Sequence, residues 1–214
     1  MSSSAYQDYR SNRTDVVRLI DSHGKLHAGT PGKKGLGHIT RSGVVMLCAA
    51  WELYIESLLV EATKHLANKC QSPDELPDQT QKELAKHVRE DKHDLKPLAL
   101  ANDGWRQVLI ANAEGWCAGL NTPKARPIND LFHKFIGLPK LSDGWTCGDV
   151  KLNEFIGVRG EIAHRGRSAT YVPLPRLKDY LTLIDVVAVE TDNAVAVHVK
   201  TVSPVKKRPW NVTK

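Results

Sequence analysis

Hydrophobic positions recur at three- and four-residue steps over most of the chain, which is typical of helices that each bury one face. The clearest stretch runs from Val44 to Asn68, where the spacing predicts a helix about 37 Å long that forms the spine of a bundle. Its inward stripe comprises Leu47, Trp51, Tyr54, Ile55, Leu58, Ala62 and Leu66. We expect the aromatic residues of this stripe to pack in the core rather than to line a ligand pocket.

The same spacing predicts shorter helices on both sides of this spine. They are expected at residues 6–23, 79–89, 103–118, 126–136 and 149–165. The segments between them hold the prolines and most of the glycines, which are typical of helix ends and connecting loops. No strand alternates with these helices, so the pattern predicts an all-α bundle with a long central helix and short accessory helices.

The ends of the last two helices are less uniform. Asp149 is predicted to cap the N-terminus of the helix at 149–165, and Gly166 is predicted to end it. A long final helix is predicted to begin at Leu174. Because valine alternates with other residues over 195–199, a short strand stays open as an alternative at its end.

Residues 27–38 are rich in glycine and include Lys33 and Lys34, which invites comparison with a phosphate-binding loop. No GxxxxGK[ST] sequence can be aligned there, and no predicted strand precedes the segment. We therefore predict a mobile connector within a single helical domain that spans residues 1–199.

The net charge of +6 is concentrated at the C-terminus. Residues 200–214 carry five basic residues and no acidic one, which leaves +1 for the first 199 residues. Lys206, Lys207 and Arg208, with Trp210 close by, predict a basic tail that binds RNA through phosphate contacts and indole stacking. A solvated terminus without a binding role is the alternative.

Composition excludes several classes of protein. A hydrophobic share of 41% with a net charge of +6 excludes a disordered chain, and the longest apolar run, Val44 to Trp51, is far shorter than the roughly 20 residues of a membrane span. The first ten residues have no apolar segment, so we expect a cytoplasmic protein. The four cysteines lack CxxC spacing, which predicts free thiols and no zinc site.

Motifs of the common hydrolases are missing from the sequence: it has neither HExxH nor GxSxG. What stands out is Arg159 followed five residues later by His164, near the end of a predicted helix. On one helix these positions are separated by about 140° and 7.5 Å of rise, so they do not stack on each other. Two copies related by a two-fold axis could pool two arginines and two histidines in one cleft.

Such a cleft suits RNA cleavage without a metal. The reaction needs a base for the 2′-OH, an acid for the leaving 5′-oxygen and cations for the charge that develops on the phosphoryl oxygens. Histidine titrates near neutral pH and can fill the first two roles, whereas arginine binds phosphate oxygens with paired N–H groups. The alternative is structural, because basic residues commonly stabilise the last turn of a helix.

The segment from Val158 to Gly166 resembles the RxxxxH motif of the HEPN superfamily. Residues 47–56 and 128–137 are similar to corresponding helices of its RiboL-PSP-HEPN branch, also described as MAE_28990/MAE_18760-like, and the resemblance spans roughly residues 40–190. It implies a homodimeric, metal-independent and cofactor-free endoribonuclease of phage-defence or toxin systems, with an antitoxin or a sensor protein as a candidate partner. Arg159 would bind the scissile phosphate and His164 would be the acid/base residue.

Two further basic residues follow the motif, Arg165 and Arg167, and we include them among the candidate RNA-binding residues. Gly160 departs from the family pattern, because many active members carry Asn, Asp or His directly after the arginine. A non-catalytic module that binds RNA or a partner protein is therefore the second hypothesis for this chain.

Overall fold

The computed structural model describes residues 1–27 and 35–213. Within them the chain forms seven α-helices and no strand, which confirms the predicted all-α architecture. The helices are α1 Ser4–His27, α2 Gly37–Lys69, α3 Asp78–Arg89, α4 Gly104–Cys117, α5 Ala125–Ile136, α6 Gly148–Arg165 and α7 Leu174–Val202. Short 3₁₀ turns occur at Pro73–Glu75, Lys96–Leu100, Leu141–Gly144 and Gly166–Ser168.

Helix α2 is the spine of the bundle, as its hydrophobic spacing predicted. It contacts α1, α4, α5, α6 and α7. The Trp51 indole N–H donates a hydrogen bond to the Pro123 carbonyl (3.1 Å), and the Tyr54 hydroxyl donates one to the Ala188 carbonyl (2.8 Å). Both side chains are buried, so they pack in the core as predicted.

Helix α2 is also long and apolar enough to cross a membrane by length and composition. However, 56% of its most apolar window is buried inside the bundle, as in the core helix of a soluble protein. Length and composition do not distinguish the two cases, and the lack of a membrane span stays a prediction from the sequence.

Two of the helix boundaries that the sequence singled out differ from the prediction, and a third agrees with it. Helix α2 begins at Gly37, and residues 28–34 of the predicted mobile loop lie outside the described residues. Asp149 lies in the first turn of α6 rather than at its cap, because that helix begins at Gly148. Gly166 ends α6 as predicted, with a φ of 52° that favours glycine.

The last segment is helical throughout, so the alternative of a strand at 195–199 is wrong. Val195 and Val199 are buried one turn apart, whereas Val197 points outward, as helical geometry requires. Beyond α7 the chain folds back: the Trp210 indole N–H donates to the Asp192 carbonyl (3.2 Å), and the Asn211 N–H donates to the Met1 carbonyl (2.9 Å). These bonds fix the C-terminal segment against α7 and the start of the chain.

Candidate nucleic-acid site

Helix α6 places Arg159 on the side that packs against α2. Its buried residues Leu152, Phe155, Ile156 and Ile162 define the inner face, and Arg159 lies about 40° around the helix from Phe155. The arginine is half-buried. In the described part of the chain, no side chain forms a hydrogen bond or a close ion pair with its guanidinium. Its N–H donors are therefore free for an anionic ligand.

Two side chains of α2 interact electrostatically with this arginine. Burial raises the pKa of the Glu52 carboxyl, and Arg159 acts in the opposite direction. Burial likewise raises the pKa of the Cys48 thiol to about 12, and again Arg159 opposes it. Oε2 of Glu52 is buried without a hydrogen-bond partner among the residues described. A carboxyl of α2 thus provides a countercharge for the arginine without forming a close pair with it.

His164 lies in the last turn of α6 and is exposed. The helix is continuous from Arg159 to His164, so the two side chains leave it about 140° apart. One chain therefore does not bring the two motif residues together on one face. Ala163, directly before His164, is also exposed.

The candidate RNA-binding residues fall into two groups. Arg165 and Arg167 are exposed at the end of α6 and in the turn that follows, and Arg165 Nη1 lies 3.9 Å from Glu161 Oε1. Lys206, Lys207 and Arg208 are exposed after the end of α7. The first turns of α7 line a cavity beside α6. Helix α7 is about 43 Å long, and the second group follows its C-terminal end. The two groups therefore lie near opposite ends of α7.

Trp210 does not serve the base-stacking role that the sequence suggested. Its side chain is 8% exposed and its N–H is bonded to α7. The tail is also not a freely solvated terminus, because residues 210–213 are held by hydrogen bonds to Met1, Asp192 and Asn193. Only its exposed cations keep the predicted capacity for phosphate contacts.

Sequence reasoning missed two arginines near the end of α6. A Cβ on Gly37 would lie 3.1 Å from Arg41 Nη1 and 3.2 Å from the ring of Tyr171, so these side chains meet at the start of α2. Arg176 lies in the first turn of α7 and is exposed. The position of Arg41 in the sequence gives no signal, because only the fold brings the start of α2 to Tyr171.

An exposed apolar stripe runs along the outer side of α2. Val45 and Met46 are each 39% exposed and Leu53 is 49% exposed, with exposed Ala49 between them. Glu52 lies about 60° around the helix from Ala49, so it stands at the edge of this stripe. Exposed apolar residues at helical spacing are typical of a protein–protein interface.

Metal ligands are not grouped in residues 1–27 and 35–213: no three His, Cys, Asp or Glu side chains there lie close enough to hold a metal ion. The four cysteines are free, as the sequence predicted, and three of them are buried.

The family model of RiboL-PSP-HEPN matches residues 8–196, which is most of the chain. The match extends beyond the range of roughly 40–190 over which the sequence motifs showed the resemblance. Comparison with curated proteins and with solved structures finds no match. The family match covers all seven helices at least in part and includes the RxxxxH segment of α6. The chain therefore belongs to the RiboL-PSP-HEPN family of the HEPN superfamily.

Proposed function

We propose that this protein is a metal-independent endoribonuclease that acts as a homodimer, with Arg159 and His164 of both protomers at a shared site. The observation that carries the proposal is the half-buried Arg159, which has free N–H donors and interacts electrostatically with Glu52 at the edge of the exposed apolar stripe of α2. If the stripe pairs with its copy around a two-fold axis, the two arginines and two histidines approach one groove.

In this reaction His164 takes the proton of the 2′-OH, and the oxygen attacks the adjacent phosphorus. The bond from phosphorus to the 5′-oxygen breaks, and the histidine of the other protomer donates a proton to that oxygen. Arg159 binds the non-bridging oxygens, where negative charge develops. The products are a 2′,3′-cyclic phosphate and a 5′-hydroxyl, so no water is consumed in this step.

The test of cleavage is purified protein on mixed cellular RNA in EDTA. We expect the wild type to produce 2′,3′-cyclic phosphate ends and His164→Ala to produce none. His93→Ala is a matched control, since His93 is also exposed but lies in the loop after α3. Equal cleavage by wild type and His164→Ala, or no cleavage by the wild type on any RNA, would remove the proposal.

The test of the dimer is sedimentation of Met46→Glu and Leu53→Glu. Each places a charge on the apolar stripe, so we expect monomers with little activity. Leu98→Glu is the control, because Leu98 is 68% exposed outside the stripe. A wild-type monomer, or a dimer that neither stripe variant disturbs, contradicts the shared site.

The biological role we propose is a toxin or phage-defence effector that acts in the cytoplasm, controlled by an antitoxin or a sensor protein. The family supports the role, and free thiols fit a reducing compartment. Induced expression of wild type in bacteria is expected to arrest growth, whereas His164→Ala is expected to be tolerated. Equal growth under both inductions contradicts the toxin role.

A non-catalytic RNA-binding module is the second candidate. It is favoured by Gly160 and by the angle of about 140° at which Arg159 and His164 leave the helix. It predicts intact RNA together with a salt-dependent affinity. Neutralising Lys206, Lys207 and Arg208 would then reduce the slope of log affinity against log salt by up to about 2, at about 0.7 per phosphate contact on a single strand. Turnover by the wild type, lost in His164→Ala, excludes this candidate.

A further inference from the structure

A cavity of about 310 Å³ opens beside the last two turns of α6. Glu161 forms one wall, and residues 170–173 with the first turns of α7 form the other. The volume lies at the lower end of the range for small-ligand sites, about 300–1,000 Å³. Neither Arg159 nor His164 lines the cavity, but Glu161 of its wall is one helical turn before His164.

One oxygen of Glu161 holds the opposite wall through hydrogen bonds, and its other oxygen is a free hydrogen-bond acceptor. Its Oε1 accepts hydrogen bonds from the Thr170 backbone N–H (3.0 Å) and the Thr170 hydroxyl (2.9 Å). These bonds lower the pKa of the Glu161 carboxyl, which keeps it ionised. Oε2 accepts no hydrogen bond from the described residues. A charged acceptor therefore borders the cavity.

The other walls carry planar groups. Tyr171 packs its ring against the start of α2, yet its side chain is 59% exposed. The Arg176 Nε–H donates to the Tyr180 hydroxyl (2.9 Å), and the guanidinium carbon lies 5.1 Å from the centre of that ring. Aromatic rings and guanidinium planes are the surfaces on which proteins stack unpaired bases.

We infer that this cavity binds one nucleobase of the RNA strand next to the scissile phosphate. The base stacks on Tyr171, and its exocyclic amino group donates a hydrogen bond to the Glu161 carboxylate. The inference rests on the proposed ribonuclease function for its placement beside the cut. A carboxylate only accepts hydrogen bonds, so it favours adenine, cytosine and guanine, which carry amino donors, over uracil, which presents carbonyl oxygens there.

Cleavage-site mapping on an RNA with all four bases at each position tests the Glu161 contact. We expect uracil to be depleted at one position flanking the cut. Glu161→Gln keeps an oxygen for Thr170 but replaces the other oxygen by an amide donor. It is therefore expected to raise the share of uracil there by roughly tenfold, the range of one hydrogen bond to a charged group. An unchanged base profile in Glu161→Gln would overturn the inference.

Binding in the His164→Ala background tests the pocket separately from cleavage. The probes are twelve-nucleotide cytidine and uridine homopolymers. Tyr171→Ala is expected to weaken binding of the cytidine RNA about 5- to 100-fold, the range for one stacked base, whereas Tyr171→Phe keeps it. Trp116→Ala is the matched control, because Trp116 is an exposed aromatic residue that does not line the cavity.

The two proposals fail in distinguishable ways. Weaker cytidine binding in Tyr171→Ala that Tyr171→Phe retains, in a protein that never cleaves RNA, supports the pocket and removes the ribonuclease. Cleavage that depends on His164, together with equal binding by Tyr171→Ala, Tyr171→Phe and the background protein, removes the pocket and keeps the ribonuclease.

Discussion

The Arg159 guanidinium of α6 and the Glu52 carboxyl of α2 interact electrostatically, although they form no ion pair within 4 Å. One oxygen of Glu52 is buried and accepts no hydrogen bond from the residues described. An uncompensated buried carboxylate is costly, so the nearby cation stabilises it. The arginine that we assign to phosphate binding thus also contributes to the packing of α6 on α2.

This relationship predicts a coupled pair of substitutions. We expect Arg159→Gln to lower the free energy of unfolding by about 0.5–1 kcal/mol, because it removes the cation beside a buried carboxylate. Glu52→Gln in the same chain is expected to restore that loss. Urea denaturation of the single and double variants at pH 7 measures the coupling. Purely additive effects would show that the two side chains do not interact.

His198 predicts a loss of stability in mild acid. Its Nε2–H donates to the Ile136 carbonyl (2.8 Å), and burial lowers the pKa of the imidazole below its usual 6.5. The unfolded chain therefore binds a proton at a higher pH than the folded chain does. The stability that depends on a neutral His198 is therefore fully present above pH 6.5, and it is lost as the pH falls below that value.

Replacing this histidine isolates its contribution. His198→Gln keeps an amide donor for the Ile136 carbonyl but does not titrate, so we expect its stability to fall less between pH 7 and pH 5 than that of the wild type. Thermal unfolding at several pH values measures the difference. Parallel pH profiles for the two proteins would show that His198 titrates normally in the fold.

Gly160 lies in a helix where a side chain has room. Apart from the backbone of its own helix and its chain neighbours, no atom of the described residues lies within 4 Å of a Cβ built there, so Gly160→Ala is expected to raise the free energy of unfolding by about 0.5–1 kcal/mol. Gly43→Ala should do the opposite, because its Cβ would lie 2.6 Å from the Leu177 side chain. Equal shifts of the urea midpoint in both variants would contradict the difference in packing.

Trp210 predicts that the C-terminal segment stabilises the fold. Its side chain is buried and its N–H is bonded to α7, so Trp210→Ala is expected to lower the free energy of unfolding by about 3 kcal/mol. Lys207→Ala, an exposed change three residues earlier, is expected to stay within about 0.5 kcal/mol. A small loss for Trp210→Ala, similar to that of Lys207→Ala, would show that the segment is not docked in solution.

The hydrophobic spacing predicted the helices well because each one buries a continuous apolar face. The stripe containing Trp51 and Tyr54 identified the central helix, and Gly166 marked the end of α6. The alternating valines at 195–199 were ambiguous, since a short apolar run fits both a strand and a buried helix. Packing of α7 against α2 decided that segment.

The sequence by itself determined the all-α class, the order of the helices and the RxxxxH motif, because periodicity and short motifs are local properties of the chain. The tertiary structure decided which side chains surround that motif. Glu52 and Arg159 are far apart in sequence, as are Arg41 and Tyr171, and only the packing of α2 against α6 and the segment that follows it brings each pair together. Their contacts depend on the angles and registers of packed helices, which no local pattern specifies.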